Sequence, residues 1–162
     1  MTQRTYRFQV QVYYEDTDHS GVVYHANYLK YFERAREGVL SPEALVALWK
    51  KKGLGFAVYK ANVSFLDGAE FGDTLDIVST VRKDSDYRLV WQQEAWRPGA
   101  AKAAVQGLLG AVAAALGRVG EPRRVQPRAG RQIPPLEPQR QPVAQIEDVL
   151  VRLGRLRVVE LG

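Results

Sequence analysis

The densest cluster of reactive side chains lies between positions 14 and 25, with Tyr14, Asp16, Asp18, His19 and His25, which include both histidines of the chain. A carboxylate beside a neutral imidazole can attack an acyl carbon, or strip a proton from a water that does. Apolar residues recur at spacings of three and four from Ala26 onward, so the cluster precedes a helix. The first N–H groups of a helix lack partners and carry partial positive charge, which suits an anion or a developing oxyanion. Gly21 lets the backbone turn sharply and a substrate approach closely. Together these features could support acyl transfer or hydrolysis. Three plainer readings stand beside that one. Asp16 to Gly21 resembles the opening of a calcium loop, but the closing Glu position falls on Asn27, and the flanks are a strand and a helix. Two His and two Asp could ligate a transition metal. Asp and Ser could simply cap the helix and shape the turn.

The elements around the cluster can be read from periodicity. Tyr6, Phe8, Val10, Val12 and Tyr14 alternate with polar residues, as in a half-buried strand over 6–14. Tyr28, Phe32, Ala35 and Val39 form the apolar stripe of the helix. Ser41 and Pro42 restart it as N-cap and first helical residue, with Leu45, Leu48 and Trp49 as the buried stripe of the second segment. Lys50 to Lys52 and then Gly53 suit its C-terminal end. Ala57, Tyr59, Ala61, Val63 and Phe65 alternate on one strand face. Leu75, Ile77 and Val81 do so on another, and Tyr87, Leu89, Trp91 and Ala95 on a third. Asp84-Ser85-Asp86 is the predicted turn between the last two strands. Residues 102–116 fit a buried strand or a helix equally well. The order predicts an α+β layer of one broken helix against an antiparallel sheet.

Composition divides the chain. Residues 1–97 hold 13 Lys and Arg against 13 Asp and Glu, so the formal charge of +5 comes wholly from the remainder. All 16 aromatic residues lie at or before Trp96. Residues 1–120 therefore read as one folded domain. Residues 121–162 read as a Pro/Arg/Gln-rich tail, with a short amphipathic helix over 143–153 through Val143, Ile146, Leu150 and Leu153. Scattered Arg without aromatics argues against nucleic-acid binding. There is no cysteine, which excludes disulfides and thiol nucleophiles and fits a cytoplasmic setting. Neither a transmembrane segment nor a secretory signal is expected.

The stretch Tyr13-Tyr14-Glu15-Asp16-Thr17-Asp18-His19-Ser20-Gly21-Val22-Val23-Tyr24-His25-Ala26-Asn27-Tyr28, continuing through Arg36, resembles the signature of the 4-hydroxybenzoyl-CoA thioesterase family. Within it the match is to the bacterial acyl-CoA thioesterases associated with the Tol–Pal cell-envelope system. The resemblance implies a hot-dog fold, an antiparallel sheet wrapped around a long central helix. It implies hydrolysis of a short-chain or aromatic acyl-CoA to free acid and CoA, with no cofactor and no metal. It places the essential carboxylate at Asp18, as nucleophile or general base, with Tyr14 and His25 at catalytic positions and the backbone N–H of His25 as oxyanion donor. It also implies a homodimer or homotetramer with sites at the interface, while acyl carrier protein is a candidate partner for the basic tail.

The rest of the helix start has smaller roles in this reading. Asn27 and Tyr28 hold the first turn, His19 is an exposed loop residue, and Lys30, Arg34 and Arg36 read as surface charges, with contact to CoA phosphates across the dimer as the alternative. Tyr28, Phe32, Phe56 and Tyr59 are candidates to line the acyl pocket. Two rivals use the same fold: a non-catalytic acyl-CoA or acyl-carrier binding module, and a dehydratase with Glu33 as the acid on the helix.

Overall fold

The alternating stretch near the N-terminus forms strand β1, Thr5–Gln11, and ends earlier than its pattern does. The Asp16 carboxylate accepts the N–H of Tyr13 at 2.9 Å, and the Asp16 N–H returns to the Tyr13 carbonyl at 3.0 Å. This local capture folds Tyr14–Asp16 into a single 3-10 turn. Val12 still faces the core, fully buried, but Tyr14 leaves the strand face and is 81% exposed. The computed structural model describes residues 5–115. The proposed tail and its helix over 143–153 lie outside them.

Helix α1 spans Asn27–Leu40 and helix α2 spans Pro42–Lys52. The break falls at Ser41, whose φ of +64° no helix can continue through, and whose hydroxyl accepts the Ala44 N–H at 3.4 Å. Pro42 opens α2 and Gly53 closes it in the left-handed conformation, donating its N–H to the Trp49 carbonyl at 2.8 Å. Leu48 is buried as predicted, but Trp49 is 37% exposed.

Four strands follow: β2 (Leu54–Phe65), β3 (Thr74–Ser85), β4 (Arg88–Trp96) and β5 (Val105–Ala115). The sheet order is β1-β3-β4-β5-β2, with every neighbour antiparallel. The ambiguous stretch 102–116 thus supplies a strand, because a place between β4 and β2 satisfies its backbone on both sides. In β2 a bulge at Tyr59 breaks the register between Val58 and Lys60. The face therefore switches parity: Leu54, Phe56 and Val63 pack toward the core, while Ala57 and Ala61 are exposed. The β3–β4 turn falls at Asp86 and Tyr87, later than predicted, with Ser85 paired to Arg88 and Tyr87 exposed.

The sheet wraps α1. Tyr28, Tyr31, Phe32, Ala35 and Leu40 meet Leu75, Ile77 and Val81 of β3, Leu89, Trp91 and Ala95 of β4, and Leu109 of β5 in one buried cluster. Phe32 is fully buried, which contributes roughly 1.5–3 kcal/mol. β5 comes so close there that a Cβ on Gly107 would lie 2.8 Å from the Phe32 ring. One polar pin crosses this core. The Arg36 guanidinium donates to the Gln93 amide oxygen at 2.7 Å, and the Gln93 nitrogen donates to the Phe32 carbonyl and the Ser79 hydroxyl at 3.0 and 2.9 Å. Arg36, predicted at the surface, is therefore buried, because Gln93 on the sheet and the Glu33 carboxylate on its own helix together meet the needs of its charge.

Candidate active site

The predicted residues sit on the connection between β1 and α1, and backbone bonds fold that connection into a hairpin. Thr17 pairs with Val23, and the Tyr24 N–H reaches the Asp16 carbonyl at 2.9 Å. Asp18 stands at the turn. Its N–H donates to Val22, its carbonyl accepts from Gly21, and its Oδ1 accepts the Ser20 N–H at 2.7 Å. Gly21 takes φ +79°, which such a tight turn requires. Asp18 thus shapes the turn, as the plain reading allowed. It does not cap α1, whose N-cap is Ala26 with no side-chain bond. Among the described residues, Oδ2 of Asp18 takes no hydrogen bond, so one carboxylate oxygen stays available for chemistry.

The second arm delivers His25 to the helix start. Its imidazole lies 4.3 Å from the Tyr24 ring and 5.9 Å, edge to face, from Phe65 at the end of β2. Among the described residues, the backbone N–H groups of His25 and Ala26 find no acceptor, whereas Asn27 donates to the Tyr24 carbonyl. The start of α1 therefore offers free donors beside an exposed imidazole. Tyr14 lies on the 3-10 turn, its ring edge-on to Phe71 at 6.1 Å. No hydrogen bond joins Asp18, His25 and Tyr14 to one another among the described residues. All three are exposed, as is His19.

The helix start is fixed from below. The Asn27 side chain donates to the Asp16 carbonyl at 2.9 Å, and the Tyr28 hydroxyl accepts the Ala69 N–H at 3.1 Å. Both residues hold the first turn, as the sequence reading has it. Burial, followed by nearby Asp67 and Asp73, raises the Tyr28 pKa against the opposing pull of the Ala69 bond. Burial and then the Asp16 carboxylate hold the Tyr31 hydroxyl well above its ordinary range, and it forms no well-shaped hydrogen bond. Tyr28 and Phe32 are enclosed in the buried core cluster. Tyr59 packs over Gly110. Lys30, Arg34 and Glu33 are exposed on α1.

Two contributors were not singled out from the sequence. Phe65 reaches both His25 and Tyr28, and Phe71 flanks Tyr14. Each lies far along the chain from the rings it touches, so only the tertiary fold brings it there. Asp16 organises the loop through both its carboxylate and its carbonyl, and its signal was a local one, an Asp three residues after the backbone N–H that it accepts.

Comparison with known proteins fits this geometry. Over 98 residues the chain is 38% identical to the acyl-CoA thioester hydrolase YbgC of Escherichia coli, covering 57% of this chain and 70% of that protein. The crystal structure of a 1,4-dihydroxy-2-naphthoyl-CoA thioesterase from Synechocystis superposes with a TM-score of 0.64 at 28% identity, over 70% of this chain and 85% of that one. A 4-hydroxybenzoyl CoA thioesterase superposes with a TM-score of 0.62 at 19% identity, over 68% and 84%, a likeness of fold. The expected hot-dog fold is borne out. The sequence model of the Thioesterase superfamily matches residues 20–104, a span that includes His25 and opens two positions after Asp18. The chain belongs to the thioesterase superfamily.

Proposed function

We propose that the chain hydrolyses the thioester of acyl-CoA, of short-chain or aromatic acyl type, to the free acid and CoA. The observation that carries the reading is the pairing of Asp18, held on its turn with one oxygen uncommitted, with the free N–H groups at the start of α1. In this reading the thioester carbonyl oxygen points at the His25 and Ala26 N–H groups, which stabilise the charge it gains as the carbonyl carbon becomes tetrahedral. Asp18 attacks that carbon, or takes the proton of a water that attacks it. CoA leaves as thiolate, and water completes the acid. His25 and Tyr14 border the reacting group, with His25 able to carry a proton. No step needs a cofactor.

Relatives named as acyl-CoA thioester hydrolases support the substrate class. Two exposed aromatic groups flank the site, Tyr14 with Phe71, and Tyr24 with Phe65 across His25. Exposed apolar surface of this kind supports assembly as a homodimer or homotetramer with the site at the interface. An acyl carrier protein could present the same thioester. Among the described residues no helix is long and apolar enough to cross a membrane. A cytoplasmic setting suits a chain without cysteine.

The test is thiol release from short, long and aromatic acyl-CoAs by the wild type, Asp18→Asn and Asp18→Ala. Asn keeps an acceptor for the Ser20 N–H, so its fold should survive. Loss of at least about a hundredfold in rate in both folded variants is expected. A folded wild type inert on every CoA and carrier-protein thioester would replace hydrolysis with a binding role.

A further inference from the structure

A cavity of about 500 Å³ opens between α1, α2 and the sheet, away from the loop that holds Asp18. Its size falls within the roughly 300–1,000 Å³ of small-molecule sites. Leu40, Trp49, Phe56 and Trp91 give it apolar walls, and Glu33, Arg36 and Glu37 of α1 are its charged groups. Arg36 is 5% exposed, so its charge sits where water screens it little. Its Nη1 is taken by Gln93 and its Nη2 by Glu33. These partners differ in kind. Gln93 is fully buried and tied to Ser79 and the Phe32 carbonyl, whereas the Glu33 side chain is 54% exposed. Glu33 can leave Arg36 and return to water at small cost, provided that another anion takes its place; a buried guanidinium left alone is expensive.

We propose that the cavity binds a free apolar carboxylic acid, whose carboxylate takes Arg36 over from Glu33 while its hydrocarbon body lies against Trp49, Phe56 and Trp91. The exchange swaps one carboxylate for another, so the guanidinium never loses its counter-charge. Burial of the hydrocarbon supplies most of the gain, and the charge-assisted bond to Arg36, with Glu33 returned to water, supplies the preference for an acid over a neutral ligand. Glu37 is also a carboxylate at the cavity, but it is exposed, where solvent screening weakens its repulsion. Acids of this class include those released by thioester hydrolysis, yet the site stands on its own geometry and would bind them without any turnover.

Two of the chain's three tryptophans line the cavity, so binding can be read by tryptophan fluorescence of the full-length protein with no thioester present. Octanoate is titrated against octanamide, its neutral counterpart of the same chain length. Octanoate is expected to change the emission saturably and to bind about tenfold more tightly than octanamide. Glu33→Gln removes the competing charge and should tighten octanoate several-fold while leaving octanamide unchanged. Val46→Phe, which fills the mouth from α2, should weaken both ligands. Both substitutions are at exposed positions, and Glu33→Gln keeps an amide oxygen that can accept from Arg36, which spares the fold. Equal affinity for acid and amide, octanoate weakened by Glu33→Gln, binding untouched by Val46→Phe, or no saturable change would each overturn the proposal.

Discussion

Tyr28 and Tyr31 stand one helical turn apart on the buried side of α1, and their hydroxyls meet opposite fates. The Tyr28 hydroxyl is the acceptor for the Ala69 N–H, so Tyr28→Phe leaves that buried donor unpaired and should cost about 1–3 kcal/mol in chemical denaturation. The Tyr31 hydroxyl has no well-formed partner, so Tyr31→Phe should be neutral or stabilising by up to about 1 kcal/mol. The same two groups set an alkaline limit. Both have folded pKa values raised above the ordinary 10.0. Above about pH 10 the unfolded chain gives up these protons first, so it is favoured as pH rises. Their contribution to stability is complete below pH 10 and is lost as pH climbs through the folded values. A thermal midpoint followed from pH 8 to 12 should hold level and then fall, less steeply in Tyr31→Phe. At this scale the chemical cluster was legible because its members are adjacent in sequence. The partners Phe65, at the end of β2, and Phe71, in the turn before β3, were not, since nothing local marks a residue that ends beside a distant ring.

Among the elements, β5 was the hardest to assign and carries the tightest packing. Gly107 and Gly110 let it pass beneath Phe32 and Tyr59. A Cβ at Gly110 would sit nearer its neighbour, 2.6 Å from Tyr59, than one at Gly107, 2.8 Å from Phe32. The costs should nevertheless run the other way. Tyr59 is half-buried on an edge strand and can swing its ring, whereas Phe32 is locked in the core. Gly107→Ala is expected to cost about 1–3 kcal/mol and Gly110→Ala less, a ranking that urea denaturation of the two variants would check. The α1–α2 break was legible, because Ser-Pro and a C-terminal Gly are local signals with local mechanisms. The bulge at Tyr59 was not, since a bulge is a relation between two strands.

For the molecule as a whole, the five-stranded sheet of the described residues ends with β5, which is paired on both sides. Nothing in the core described above calls on residues beyond it. Truncation after Pro122 should therefore leave thioester hydrolysis and the thermal midpoint close to those of the full chain, the midpoint within a few degrees. A collapse of either would assign residues 123–162 a part in folding or function. The division of the chain at 120 was drawn from composition, through the loss of aromatics and the surplus of Arg and Pro.

The sequence by itself determined the order of elements as far as β4, the helix break and the place of the loop that carries the candidate site, because capping, alternation and hydrogen bonds to near neighbours depend on residues a few positions apart. It also carried the superfamily, through a stretch in which loop and helix start are contiguous. Only the tertiary structure decided that residues 102–116 form a strand between β4 and β2, that β2 changes face at Tyr59, and that Arg36 turns inward to Gln93. Each of those outcomes depends on a partner far along the chain. A period-two pattern cannot say which neighbour will satisfy a backbone, and a charge on a helix cannot say whether a buried amide waits across from it.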